Sequence, residues 1–217
     1  MNQRPQVIFL DGVGTLFGVR GSVGMIYAQI ARRFDLDADA EALNQAFFQS
    51  FREAPPMAFP AVEVTLVPQR EFEWWRAIAH QTFQRAGYGV AFSRFGEFFD
   101  ALYEHFATAE PWFLYDDTLI ALKYWQSQGV PLGLISNFDS RIHRVLPALG
   151  LDRFFTSVTI STEVGAAKPD YKVFETALKK HGCEPTAAWH IGDSFREDYK
   201  GAKAAGMRAI WLKRREG

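Results

Sequence analysis

Val7-Ile8-Phe9-Leu10-Asp11-Gly12-Val13-Gly14-Thr15-Leu16 joins four consecutive apolar residues to a carboxylate, two glycines and a threonine. An apolar run of this length, bounded by turn formers, reads as a strand covered on both faces, and Gly12 and Gly14 let the backbone turn tightly beyond it. Asp11 then stands just past the carboxyl end of a buried strand, where open parallel sheets carry their chemistry.

Downstream the same kind of run recurs. Strands are expected near 7–10, 130–135, 157–160, 187–191 and 208–212, and helical patterns at 117–128, 140–149, 170–181 and 195–205, with Gly129, Gly150, Gly182 and Gly206 as helix stops. Strands alternating with helices predict an α/β fold, a doubly wound parallel sheet. The block from about 20 to 110 has a different period. Val23, Ile26, Tyr27, Ile30 and Phe34 share a helical face, as do Leu43, Ala46, Phe47, Ser50 and Phe51, and later Phe95, Phe98, Phe99, Leu102 and Phe106. Asp37 and Ser93 read as N-caps, and Arg52 to Pro60, with three prolines, as a loop. The aromatics Phe47, Phe48, Phe51, Phe59, Phe72, Trp74, Trp75 and Phe83 read as the core of a small bundle or as a face lined for an apolar substrate.

Bulk composition narrows the classes. A chain of 217 residues holds one full domain plus an insert. Its 24 basic and 25 acidic residues leave a net charge of −1, with no basic footprint for nucleic acid. The short cluster Lys213-Arg214-Arg215 reads as a solvated end. Cys183 has no partner for an internal disulfide, which fits a reducing compartment. The first apolar run is too short for a signal peptide and no stretch approaches the roughly 20 residues that span a bilayer, so a soluble, cytoplasmic protein without a membrane partner is expected.

Three later segments join the opening one. Leu132-Gly133-Leu134-Ile135-Ser136-Asn137 is a second strand ending in a hydroxyl. Lys168-Pro169-Asp170 follows a Gly-Ala-Ala loop and opens a helix. Gly192-Asp193-Ser194-Phe195-Arg196-Glu197-Asp198 follows a fourth strand. In order, type and flanking strands, these segments resemble the motifs of the haloacid dehalogenase-like (HAD) superfamily of aspartate-nucleophile hydrolases. Ile135 to Arg141 and His190 to Ser194 look most like its group named for domain-containing protein 3. The resemblance implies a Rossmann-like catalytic core, 1–19 and 112–217, and an α-helical cap, 20–111, inserted after the first strand. It also implies hinges near Gly18 to Gly21 and Ala109 to Trp112, with oligomeric state left open.

If the sheet forms as read, Asp11, Asp193 and Asp198 converge with Lys168, and three close carboxylates need a counter-charge. Mg2+ would supply it, since hard carboxylate oxygens suit that ion and zinc-type ligands are missing. By resemblance, Asp11, Asp193, Asp198 and the main-chain carbonyl of Val13 are the metal ligands, and the substrate is a small phosphorylated molecule. Asp11 would attack phosphorus to give an aspartyl phosphate, while Ser136 and Lys168 offset charge as catalytic residues. Gly12, Thr15 and Asn137 would line the substrate. A lysine at a helix N-terminus opposes the macrodipole, which favours a functional reason for Lys168. His80 and His190 read as packed or hydrogen-bonded rather than catalytic.

The departure from the motif is Val13, where family phosphatases carry the Asp that serves as general acid and base. Three explanations stand: activated acyl or aryl phosphates as substrates, an acid borrowed from Asp139 or a cap residue, or a weak enzyme that mainly binds a ligand. L-2-haloacid dehalogenases also lack that Asp, yet they are metal-free and lack the acidic motif seen at Gly192 to Asp198. Phosphonoacetaldehyde hydrolases need a cap lysine, and residues 18 to 111 contain none.

Overall fold

A computed structural model of the chain describes residues 4–89 and 92–214. Arg215, the last member of the expected basic end, lies outside the described residues. Packing divides the chain into two units, one formed by residues up to Gly18, Met57–Val67 and the chain from Leu114 onward, the other by Val19–Pro56 and Pro68–Phe113. Within the expected helical insertion, then, residues 57–67 group with the sheet-bearing unit.

The sheet-bearing unit is built on β1 (Val7–Leu10), β4 (Leu132–Ser136), β5 (Ser157–Ile160), β6 (Ala188–Gly192) and β7 (Arg208–Trp211), in the order β5-β4-β1-β6-β7. Every pairing is parallel, with Phe9 opposite Gly133 on one side and opposite His190 on the other. The strands β1 and β4 are buried at every position, as a sheet covered on both faces requires. On one face Val7, Phe9 and Ile135 pack with Val173, Phe174, Ala177 and Leu178 of α8 (Tyr171–His181). On the other, Trp125 of α5 (Thr118–Ser127) meets Trp189, the register partner of Ile8. Chain order runs outward from β1 in both directions, so the loops after β1, β4 and β6 meet at a switch point.

Two short strands escape sequence reading. β2 (Phe17–Val19) and β3 (Trp112–Leu114) pair as a ribbon where the chain leaves the sheet-bearing unit and returns to it. Three residues each are too few to show alternation. Gly182 closes α8 at φ 54°, as its position as a helix stop predicts. The segment read as a helix over 195–205 is a π-helical turn, Phe195–Lys200, continued by α9, Gly201–Ala204.

The helical unit contains α1 (Val23–Arg32), α2 (Ala40–Glu53), α4 (Phe95–His105) and the body of α3 (Val67–Arg85). Its core is aromatic: Tyr27, Phe47, Phe83, Phe92, Phe98 and Phe99 are buried together, with Phe83 and Phe98 centroids 5.0 Å apart. Of the aromatics read as a bundle core, Phe47 and Phe83 lie in it and Phe72, Trp74 and Trp75 pack partly buried against it, whereas Phe48 and Phe51 are exposed. The caps differ from expectation. Asp39, not Asp37, accepts from the Ala42 amide, while Asp37 pairs with Arg32 at 2.8 Å. Arg94, not Ser93, precedes α4, without a side-chain cap bond. α2 runs to Glu53, so the proline loop begins later than expected. Among the described residues, no helix is long and apolar enough to cross a membrane.

Candidate active site

The apolar strands deliver their terminal side chains to one edge of the sheet. Asp11, first after β1, is buried and held through its amide to the Ile191 carbonyl at 3.0 Å. Ser136, last in β4, donates to Asp11 Oδ1 at 2.9 Å, and Lys168 Nζ reaches the same oxygen at 2.7 Å. Both of these bonds fall on Oδ1 and, among the described residues, none is made to Oδ2. Lys168 uses its three donors on Asp11, on Asp198 Oδ1 at 2.6 Å and on the Ile135 carbonyl at 3.0 Å. Asp198 also accepts from His190 Nε2 at 2.9 Å and, through Oδ2, from the Ser194 amide at 2.9 Å.

Two glycines are explained by the acids that rest on them. Gly14 has φ 86°, and a Cβ there would lie 2.3 Å from Asp193 Oδ2. A Cβ at Gly192 would lie 2.1 Å from Asp198 Cγ. Both motif loops therefore need the missing side chain, and Gly14 needs the backbone freedom as well. A Cβ at Gly12 would sit 3.3 Å from Ser136 Oγ, and the Gly12 carbonyl accepts from Leu16 at 2.7 Å.

The remaining sequence-derived candidates fall around this group. Thr15 is buried and donates to Asp193 Oδ1 at 3.2 Å. Asn137 binds the main chain of Lys168 in both senses, accepting from its amide at 2.7 Å and donating to its carbonyl at 3.0 Å, and it also donates to Glu197 at 3.2 Å. The Asn137 amide is thus engaged in fixing Lys168 rather than left open toward a ligand. Val13 is 36% exposed, so its side chain is not a core residue. Asp139, the acid considered as a replacement, is fully buried and held by Arg141 in a two-point pair at 2.8 and 2.7 Å.

Electrostatics separate the acids. Burial opposes a charge on Lys168, but Asp11 and Asp198 outweigh it and raise the ammonium above its ordinary range. Burial likewise opposes ionised Asp198, yet Lys168 and the His190 bond hold its carboxyl well below the usual carboxylate range. Burial pushes His190 down, so the ring is neutral with Nε2–H donating to Asp198, and its buried Nδ1 is a lone pair without a partner. Asp193 is pushed up to about 6, first by burial and then by the charges of Asp11 and Asp198. One oxygen from each of Asp11, Asp193 and Asp198 lies within 4.8 Å of the others. Three carboxylates against one ammonium are under-compensated, and Asp193 carries the imbalance. A donor set of carboxylate oxygens fits a hard divalent cation.

The family model for haloacid dehalogenase-like hydrolases matches residues 5–206. The chain belongs to that family. The bovine haloacid dehalogenase-like hydrolase domain-containing protein 3 is 35% identical over 92% of this chain and 78% of its own length. The glyceraldehyde 3-phosphate phosphatase of Methanothermobacter thermautotrophicus is 42% identical over 48% of this chain and 46% of its own. Among solved structures, the magnesium-bound HAD hydrolase YfnB of Bacillus subtilis superposes with a TM-score of 0.69 at 17% identity, covering 97% of this chain and 89% of that one.

Within this HAD-like site, sequence reading missed several neighbours. His190, read as packed or hydrogen-bonded, is both, although its partner Asp198 was not foreseen. Glu197 beside Asn137, and Trp211 and Arg214 at the end of the described chain, reach the site loops through contacts that leave no local pattern.

Proposed function

We propose that this HAD-like hydrolase cleaves a small phosphorylated metabolite with the help of Mg2+, using Asp11 as nucleophile. The observation that carries this reading is the Asp11 carboxylate itself, fixed through Oδ1 by Ser136 and Lys168 beside two further acids. Asp11, Asp193 and Asp198 are the side-chain ligands assigned to the ion, with the Val13 carbonyl as a main-chain ligand. When bound, Mg2+ offsets the negative charge of the phosphoryl group and of the three acids. The phosphatase relative and the magnesium-bound fold neighbour support the same reading.

In the proposed reaction, Asp11 forms an O–P bond while the leaving oxygen departs with its electron pair. Water then attacks phosphorus, releasing phosphate and restoring the carboxylate. Ser136 and the amides near Gly12 and Val13 are assigned to the non-bridging oxygens, and Lys168 to the developing charge. Thr15 and Asn137 act behind them, on Asp193 and Lys168 respectively. With Val13 in the acid's place and Asp139 committed to Arg141, the leaving group takes its proton from solvent. Acyl and aryl phosphates, whose leaving groups need no proton, are therefore the favoured substrates.

Hydrolysis of acetyl phosphate and an aryl phosphate, with Mg2+ or EDTA, tests the reading. Turnover is expected to need Mg2+ and to vanish in Asp11→Asn. Val13→Asp is expected to raise alkyl phosphate hydrolysis by about 10² or more, the usual contribution of a general acid. No turnover in the wild type or in Val13→Asp would overturn it. The reading then favoured is a ligand-binding protein on the HAD fold, to which the missing acid at Val13 already points. A 2-haloacid dehalogenase has no use for the three-acid group.

A further inference from the structure

At the end of the edge strand β7, Trp211 and Lys213 are exposed, yet Trp211, Leu212 and Arg214 bond back to the site loops. The Trp211 indole Nε1 donates to the Asp193 carbonyl at 2.9 Å, and the Leu212 amide donates to the Gly192 carbonyl at 2.9 Å. Arg214, expected to be solvated, instead donates to the Thr15 carbonyl, pairs with Asp117 at 2.7 Å and lies 4.0 Å over the Tyr115 ring. Thr15 closes the circuit, because its hydroxyl donates to Asp193 Oδ1 at 3.2 Å. Asp193 is thereby fixed twice, its main chain by Trp211 and its carboxylate by a threonine whose own main chain Arg214 holds.

The need for such bracing lies in the contrast among the three acids. Asp11 is tied to Ser136 and Lys168, and Asp198 to Lys168, His190 and the Ser194 amide. Asp193 has, among the described residues, only the Thr15 hydroxyl and its own main-chain amide on its carboxylate, and no cation. Outer partners that orient a ligand govern how much order a metal ion must impose when it binds.

We propose that Trp211 and Arg214 are positioning residues that set the divalent-cation affinity of the acid cluster by holding the Asp193 and Thr15 loops in register. The proposal rests on the metal reading above. Neither side chain touches the acid oxygens.

Calorimetric titration of the metal-free protein with Mg2+, and Mn2+ titration followed by electron paramagnetic resonance, test it directly. Trp211→Phe keeps the ring and loses the donor, and Arg214→Met keeps the stem and loses the guanidinium. Each is expected to raise the dissociation constant about tenfold, the low end for an outer-partner loss. Arg214→Lys should recover part of the affinity. Lys213→Met, which removes the ammonium 4.2 Å above the Trp211 ring, should leave affinity within about twofold of wild type. The limiting rate of aryl phosphate hydrolysis at saturating Mg2+ should stay near wild type, so that the loss appears in the half-saturating Mg2+ concentration. Unchanged Mg2+ affinity in both Trp211→Phe and Arg214→Met, while the wild type binds the ion, overturns this inference alone. A wild type that binds neither ion overturns the metal reading, and the inference with it.

Discussion

The two units differ in emphasis, since the helical one buries mostly rings, with Glu71 among them, and the sheet-bearing one adds a charged group to its apolar core. The helical unit interlocks aromatic rings, with Phe98 meeting Tyr27, Phe34, Phe83, Phe92 and Phe95. The sheet-bearing unit buries Asp11, Lys168, Asp198 and His190 in a chain of hydrogen bonds taken in that order. Rings pack at preferred angles but need no particular partner atom, so a core of this kind tolerates a smaller apolar side chain at moderate cost. Buried charges are directional and mutually dependent, so removing one strands the others. A single chain thus contains one region where volume matters and one where each partner matters.

Removing the hub of the charged region is the severest test of that contrast. Lys168→Met is expected to cost about 3–5 kcal/mol, because Asp11 and Asp198 lose their common counter-ion, and to abolish hydrolysis. Urea denaturation read beside an activity assay checks both, and a stable variant would show that the acids are compensated by something other than Lys168. Next in size, Phe98→Ala should cost about 3 kcal/mol or more by leaving a cavity among rings, whereas Phe98→Leu should cost only about 1 kcal/mol. Equal losses for the two variants would mean that the aromatic region is as specific as the charged one.

The smallest expected effect has the opposite sign. Asp193 stands at about 6 rather than the ordinary 3.8, so the folded protein holds a proton there that the unfolded chain releases. Between those values stability falls as pH rises, and above about 6 the ionised carboxylate is a standing cost in the metal-free protein. Asp193→Asn in EDTA is therefore expected to stabilise the fold at pH 8 by about 1 kcal/mol, after allowance for solvent screening of a half-buried group, and to give no gain at pH 4. Melting temperatures at the two pH values, with and without Mg2+, measure the difference. A variant less stable than wild type at pH 8 would show that the Thr15 bond outweighs the charge cost.

Much of the sheet was legible because its signals are local. β1 and β5 occupy the residues their apolar runs predict, and β4 and β6 shift by one or two. Asp11, Ser136, Lys168, Asp193 and Asp198 were legible for the same reason, each standing at the end of a strand or the start of a helix that the pattern marks. The β2–β3 ribbon was not, because three-residue strands have no period and pair only through the fold. Asp39 rather than Asp37 caps α2 because the helix begins at Ala40, which puts Asp39 in the cap position and leaves Asp37 to pair with Arg32.

The sequence by itself determined that a parallel sheet would gather acids and a lysine at one edge, since strand length, glycine placement and residue type are all written in consecutive positions. Only the tertiary structure decided the partner of each group. It gave Asp139 to Arg141, the Asn137 amide to the Lys168 main chain, the His190 ring to Asp198, and Arg214 to Thr15 and Asp117. The physical reason is that burial patterns are set by neighbours along the chain, whereas a hydrogen bond or ion pair is set by which groups the packed layers bring within about 3 Å.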